Sequence, residues 1–251
     1  VCGKNKHLYI LSLNGIIEMD FFADQFLMAT PALGDIDGDG LNEIIISGYS
    51  TAGDVFAINH DGTLVTGFPA QINEKVRRGA ALADFNNNGK DDIVVVTESD
   101  DLIVLIYDDG SFETLLDTDS AFKTSPGIAL VNNEPVIFVG GDSGSFYSVN
   151  GDGELIFEIE TDGQIRTSAS FVSTSNGLTI FTGSGDGKLY ALDSNGEYRE
   201  GWPVDTGNSI NIEPIITDLD GDGTPEVISG NSNGALVAYF MNGSIFPGFP
   251  I

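Results

Sequence analysis

An apolar run that ends in a glycine turn recurs six times along the chain, and this repeat restricts the fold more than any other sequence feature. The closing glycines lie 47, 48, 43, 43 and 47 residues apart. A repeat of that length with about four short strands and Asn-Gly or Asp-Gly turns is typical of a β-propeller blade. The six copies are Leu8–Gly15, Val55–Gly62, Ile103–Gly110, Phe146–Gly153, Leu189–Gly196 and Leu236–Gly243.

The repeat predicts an all-β fold, a β-propeller of four-stranded antiparallel blades in one region that spans residues 1–251. The chain begins within a unit and stops after a fourth strand. We therefore expect it to be a segment of a longer polypeptide whose propeller has seven or eight blades. The predicted half blade covers 1–25, and the five complete blades cover 26–72, 73–118, 119–161, 162–206 and 207–251.

Three blades contain a loop with oxygen-bearing side chains at its first, third, fifth and ninth positions and glycine at its sixth. Hard cations take six to eight oxygen ligands, and a glycine permits the sharp bend that brings alternate side chains together. The pattern predicts three structural calcium sites in which the seventh residue contributes its backbone carbonyl. The alternative is an acidic turn without metal. The predicted ligands are Asp35, Asp37, Asp39, Leu41 and Glu43; Asp84, Asn86, Asn88, Lys90 and Asp92; and Asp218, Asp220, Asp222, Thr224 and Glu226.

These loops differ from an EF-hand, whose last acid lies at position twelve between two helices. Here the acid at position nine opens an apolar run, so each loop lies between two strands. The third and fourth blades replace the loop with the short connections 131–135 and 173–177, which accounts for the 43-residue spacings. Asn86 and Asn88 reduce the charge of the second loop, and we expect this loop to bind calcium most weakly.

The charge balance excludes several kinds of partner. The chain has 38 acidic and 10 basic residues and a net charge of −28, which makes nucleic acid and anionic membranes unsuitable general partners. No apolar run approaches the ~18 residues of a membrane span, so no direct membrane insertion is expected. Cys2 is the single cysteine, which excludes an internal disulfide.

Four of the ten basic residues fall at one level of the innermost strands, beside one mouth of the expected central channel. Two interpretations remain open. These side chains form a cationic half-ring for a carboxylated or sulfated ligand, or they pair with the surplus carboxylates. The four residues are Arg77, Arg78, Lys123 and Arg166.

The sequence offers no defensible catalytic constellation. Two histidines and one cysteine form no Ser-His-Asp or Cys-His pattern, although two of the many carboxylates could meet as a glycosidase pair. Phe68, Trp202 and Phe249 each precede a proline at the end of a blade. We predict that these aromatic side chains are wedges between blades rather than surfaces that stack on sugars.

With its D-x-D-G-D-G-x-x-E loops followed by a β-run, the chain resembles the FG-GAP or VCBS repeat family. This blade type occurs in the integrin alpha-subunit propeller and in many secreted bacterial proteins. The run Leu189–Asp193 with the later Trp202 is also similar to blades of quinoprotein propellers. The resemblance covers nearly the whole chain. It implies an extracellular or cell-surface propeller that is stabilised by calcium and used as a binding platform.

The resulting hypothesis is a non-enzymatic calcium-binding propeller of a secreted or cell-surface protein. It would act in adhesion or as a structural platform for a protein or polysaccharide ligand. One alternative is the propeller part of a polysaccharide lyase or hydrolase, or of a quinoprotein dehydrogenase. Another is a structural module that spaces domains or assembles into a surface filament. A catalytic module elsewhere in the full chain would favour the enzyme.

Overall fold

The computed structural model describes residues 1–251, and all its regular elements are β-strands. Twenty strands form six antiparallel sheets, and in each sheet the strands follow one another in chain order without a crossover. None of the elements is a helix of the length and hydrophobicity needed to cross a bilayer. The chain divides into two compact units, Val1–Ile128 with Gly151–Glu154 and Ala129–Asn150 with Leu155–Ile251.

The first unit contains three complete sheets. The two-stranded sheet corresponds to the predicted half blade, and the other two belong to the first and second complete blades. The strands are β1 (His7–Leu11) and β2 (Ile17–Phe22); β3 (Ala32–Gly34), β4 (Glu43–Ser47) and β5 (Val55–Ile58); and β6 (Ala81–Ala83), β7 (Asp92–Val96), β8 (Leu102–Ile106) and β9 (Phe112–Asp117).

The other three sheets lie in the second unit, except that β10 begins in the first. The strands are β10 (Gly127–Val131), β11 (Glu134–Gly140), β12 (Ser145–Asn150) and β13 (Leu155–Glu160); β14 (Ser170–Thr174), β15 (Gly177–Gly183), β16 (Lys188–Leu192) and β17 (Val204–Asp205); and β18 (Ile215–Thr217), β19 (Glu226–Gly230) and β20 (Leu236–Tyr239). The exact limits of the blades remain a prediction, because the strands do not mark where one blade ends.

The length of each first strand depends on the connection that follows it. β3, β6 and β18 have three residues and lead into the acidic loops, whereas β10 and β14 have five and lead into short hairpins. Each acidic loop begins directly after its first strand, at position 35, 84 or 218. The residues of the loop are therefore not available to extend that strand. The first strands are therefore shorter in the three blades that carry an acidic loop.

The blade arrangement agrees with the predicted four-stranded blades, although the fourth strand is regular in three of the five complete blades and reduced to isolated bridges in the other two. β9 and β13 have six residues, but β17 has two, and the first and fifth blades have isolated bridges instead, such as Val55 with Ala70 and Tyr239 with Ile245. The three shortened edges are those that end in Gly-Phe-Pro or Gly-Trp-Pro. Proline lacks the N–H that a continuous ladder needs, so pairing stops there.

Two of the three aromatic side chains before these prolines are wedges, as predicted. Phe68 is 7% exposed and packs with side chains of β5, β7 and β8. Trp202 is 6% exposed and packs with side chains of β15, β16, β19 and β20. Each therefore joins the sheet that carries it to the next sheet. Phe249 is only half-buried and contacts Phe246.

Candidate metal centres

The first acidic loop folds back on itself through hydrogen bonds to its own carboxylates. The Gly38 and Gly40 N–H groups donate to Asp35 Oδ1 (2.8 Å) and Oδ2 (3.0 Å). Carboxylate oxygens of Asp35, Asp37 and Asp39 lie within 4.8 Å of one another. Such a spacing is short enough for one cation to contact all three side chains.

The third loop repeats this arrangement. The Gly221 and Gly223 N–H groups donate to Asp218 Oδ1 (2.7 Å) and Oδ2 (3.0 Å). Carboxylate oxygens of Asp218, Asp220 and Glu226 lie within 4.8 Å of one another. The two loops are 183 residues apart in position, so their shared geometry follows from their shared local sequence rather than from common neighbours.

The glycine at the sixth position adopts a left-handed backbone in every loop, with φ of 86° at Gly40, 84° at Gly89 and 87° at Gly223. The fourth position is also left-handed, and there the second loop has Asn87 (φ 59°) where the others have glycine. Asparagine tolerates this region better than most residues. The second loop therefore keeps the backbone of the other two despite its different composition.

The acid at the ninth position is buried in all three loops. Glu43 is 2% exposed, and Asp92 and Glu226 are 0% exposed. Each accepts a hydrogen bond from the N–H of the second loop residue, and the distances are 2.8 Å, 3.0 Å and 2.8 Å. This bond ties the start of the second strand to the start of the loop. The three donors are Ile36, Phe85 and Leu219.

One of the three buried acids has an oxygen that no group of the protein satisfies. Glu226 Oε1 is buried without a hydrogen-bond partner, and a buried unpaired carboxylate oxygen is costly. Burial raises the pKa of Asp92 to about 6 and also raises the pKa of Glu43. An all-oxygen donor set with an unpartnered buried oxygen fits a hard cation such as Ca²⁺.

The second loop is the least suited to a cation. Asn86 Nδ2 donates to Asp92 Oδ1 (3.3 Å), which aims an amide donor at the acid. Asn88 Oδ1 accepts from the Lys90 N–H (2.9 Å), as Asp39 and Asp222 accept at the same place in their loops. A cation at this loop would require the Asn86 amide to turn its oxygen inward. The lower affinity that the sequence predicts stays a prediction.

The side chains of Asp91, which was not among the predicted ligands, and of Lys90, which was predicted to contribute only its backbone carbonyl, connect the first and second loops. Asp91 Oδ2 accepts from the Asp35 N–H (3.0 Å), and the Asp91 N–H donates to Asp35 O (2.8 Å). Lys90 Nζ bonds Asp108 Oδ2 at 2.8 Å, and the Lys90 stem lies against Gly38. The partners are far apart in sequence, so no local pattern could have revealed these contacts.

The predicted basic residues all have partners. Arg77 pairs with Glu98 at 3.1 Å and Lys123 lies 4.0 Å from the same carboxylate, while Arg78 Nε donates to Lys123 O (2.9 Å). Arg166 forms two bonds to Asp142, at 2.6 Å and 2.9 Å. Arg77 and Arg166 thus show the pairing that was one of the two interpretations. Binding of an anionic ligand by these residues stays a prediction.

Glu74 and Asp100 form a carboxyl pair outside the loops. Burial raises the pKa of Glu74, and the hydrogen bond and repulsion from Asp100 raise it further. Glycosidases hold their two catalytic carboxyl groups about 5 Å or more apart, whereas these two are in hydrogen-bond contact. The pair therefore lacks the geometry of glycoside hydrolysis. Burial also raises the pKa of the Cys2 thiol, which makes it a poor nucleophile.

We expect Asp100→Asn to raise the melting temperature at pH 7 and to leave it nearly unchanged at pH 4. Since the folded-state pKa of Glu74 is raised, its contribution to stability is full at low pH and is lost as the pH rises through that pKa. Removing the neighbouring charge relieves repulsion only where both groups are ionised. Thermal melts from pH 4 to pH 8 measure the effect, with the exposed Asp119→Asn as control. An equal gain at both pH values would contradict it.

Comparison with known proteins agrees with the fold. Residues 35–95, which contain the first two acidic loops, match the FG-GAP-like repeat family. BamB from Moraxella catarrhalis is similar in structure, with a TM-score of 0.71 and 15% identity over 98% of this chain and 70% of BamB. The chain is a β-propeller, and its residues 35–95 are similar to FG-GAP-like repeats. No curated protein matches it in sequence.

Two further structures share the propeller fold at low identity. Sqt1 of Saccharomyces cerevisiae has a TM-score of 0.71 and 13% identity over 93% of this chain and 66% of Sqt1. The Vibrio cholerae biofilm matrix protein Bap1 has a TM-score of 0.69 and 19% identity over 96% of this chain and 42% of Bap1. At these identities the likeness establishes the fold and leaves function to the site itself.

Proposed function

We infer that this FG-GAP-type propeller is a non-catalytic, calcium-binding platform of a secreted or cell-surface protein, and that it presents its loops to a protein or polysaccharide ligand. The observation that carries the calcium assignment is the third loop. There, three acidic side chains converge within 4.8 Å, and Glu226 is fully buried with one oxygen unpartnered. Calcium would supply the missing positive charge beside the unpartnered oxygen of Glu226.

The structural role of the ions is supported by where the ligands lie. Glu43 and Glu226 are the first residues of β4 and β19, and Asp35 and Asp218 directly follow β3 and β18. An ion at each loop would therefore fasten the first strand of a sheet to its second. Filling of such sites is expected outside the cell, where calcium is millimolar, if their Kd is similar to the roughly 10⁻⁴–10⁻³ M of other extracellular calcium-binding modules.

An extracellular setting is supported by the likeness to the Vibrio cholerae biofilm matrix protein Bap1. The charge of −28 also suits a soluble surface that is exposed to divalent ions. The match of residues 35–95 to FG-GAP-like repeats supports binding as the role of the exposed loops.

We expect Glu226→Gln to remove one bound calcium ion and leave the fold intact. The glutamine retains an oxygen that can accept the Leu219 N–H, but it lacks the charge that the cation needs. Isothermal titration with calcium counts the ions. Glu134→Gln is the matched control, because Glu134 begins the second strand of a blade that has no acidic loop. An unchanged ion count in Glu226→Gln would refute the assignment of this loop.

A further inference from the structure

A groove of about 650 Å³ lies beside the third acidic loop, between the sheets of the fourth and fifth complete blades in the second unit. One wall is the β14–β15 turn, which contains Ser175 and Asn176. The opposite wall is Thr224 and Pro225 of the loop, and Arg199 and Asn242 complete the lining. The groove is open to solvent, since Ser175, Asn176 and Thr224 in its walls are exposed. It can therefore admit one unit of a long chain as readily as a small molecule.

Most of its side chains can both donate and accept a hydrogen bond. Thr174, Ser175 and Thr224 offer hydroxyl groups, and Asn176 and Asn242 offer amides. Met241 and Pro225 add small apolar surfaces, and no aromatic ring lines the groove. This composition matches a ligand that carries a hydroxyl group on nearly every carbon and a short apolar C–H face. It does not match a planar aromatic ligand, which would need a larger apolar surface.

Arg199 and Glu200 are the two charged side chains that line this groove. Arg199 Nη2 donates to the Leu178 carbonyl, which fixes the guanidinium against β15. Its Nε is buried and has no hydrogen-bond partner. The neighbouring Glu200 is exposed and supplies acceptor oxygens.

We propose that this groove binds a neutral saccharide. The proposal rests on the function inferred above and specifies its ligand class and binding site. Acidic saccharides are disfavoured, because Glu200 lines the groove and the net charge of −28 repels polyanions. Neutral sugars carry no such cost, and their hydroxyl groups pair with the threonine, serine, asparagine and arginine side chains.

The single tryptophan of the chain provides a direct assay. Trp202 Nε1 donates to the backbone oxygen of Met241 (2.9 Å), and Met241 lines the groove. A ligand in the groove is therefore expected to change the Trp202 emission. The full chain at saturating calcium is titrated with cellohexaose, mannohexaose and a galacto-oligosaccharide, and with hexagalacturonate as the acidic probe. Isothermal titration calorimetry repeats each titration, so that a spectroscopically silent complex is also detected.

We expect at least one neutral probe to bind saturably. Ser175→Tyr and Asn176→Tyr should each lower the affinity for that probe by about tenfold. Both side chains are exposed, so the larger residue fills the groove rather than the core. Ser232→Tyr is the matched control, since Ser232 is exposed in the loop at the opposite end of β19 and β20.

Three results would overturn the inference. They are the absence of binding by every neutral probe, binding of hexagalacturonate alone, and equal neutral-saccharide affinity in the folded groove variants and the wild type. Calcium binding is measured independently. If the chain binds calcium but no neutral saccharide, the assignment of the groove is refuted and the assignment of the metal sites is unaffected.

Discussion

Trp202→Ala is expected to lower the free energy of unfolding by about 3–5 kcal/mol. The indole is 6% exposed, and its Nε1 donates a hydrogen bond to Met241 O. Its ring packs edge-on against Phe181 and Tyr239, with centroid distances of 5.3 Å and 6.1 Å. Its removal would leave a cavity between two sheets and an unpaired carbonyl. For a chain of this size the loss corresponds to a fall in melting temperature of about 10 °C. Circular dichroism followed through a thermal melt measures it.

Phe249→Ala is the matched control, because Phe249 occupies the same place in the same signature but is half-buried. The centroid of its ring lies 6.1 Å from that of Phe246, and it is not part of the buried cluster around Trp202. We expect its effect to be well below half that of Trp202→Ala. Phe68→Ala, at a site that is 7% exposed, should resemble the tryptophan variant. An equal loss in Phe249→Ala and Trp202→Ala would contradict the role of the aromatic as a wedge.

The melting temperature is expected to be about 10 °C or more higher in 10 mM calcium than in the presence of a chelator. A ligand that binds only the folded state stabilises it by RT ln(1 + [L]/Kd). With Kd of about 10⁻⁴–10⁻³ M, each filled loop adds roughly 1.4–2.7 kcal/mol. Three filled loops therefore add roughly 4–8 kcal/mol. Differential scanning calorimetry across a calcium series measures the shift.

Magnesium at equal concentration is the control for non-specific charge screening. The chain carries a net charge of −28, so any divalent ion relieves some repulsion between acidic side chains. Magnesium demands octahedral geometry and gives up water reluctantly, so it should not fill the loops. Equal melting temperatures in magnesium and calcium would mean that the loops enclose no specific ion.

The features that the sequence predicted correctly are those encoded within a few residues. Loop geometry follows from alternating oxygens and a glycine, and the Asn-Gly and Asp-Gly turns place each third strand. The fold class followed from the spacing of the repeats. The wedge positions of Phe68 and Trp202 were visible because each stands in the same short signature before a proline.

The features that the sequence could not predict depend on partners far along the chain. Nothing near Asp91 indicates that it holds Asp35, which lies 56 residues away. The ion pairs of Arg77 and Arg166 depend on which carboxylates the fold brings near them. The loss of a regular fourth strand in the first and fifth blades depends on how proline meets the neighbouring strand. The groove beside Thr224 is assembled from four separate segments, so no single motif could have indicated it.

The central claim is that the acidic loops enclose calcium, and anomalous X-ray scattering from crystals grown in calcium tests it most directly. The account predicts an anomalous peak bounded by Asp218, Asp220 and Glu226, with equivalent peaks at the loops of Asp35 and Asp84. A well-ordered third loop with no peak at its centre, in the presence of millimolar calcium, would contradict the account.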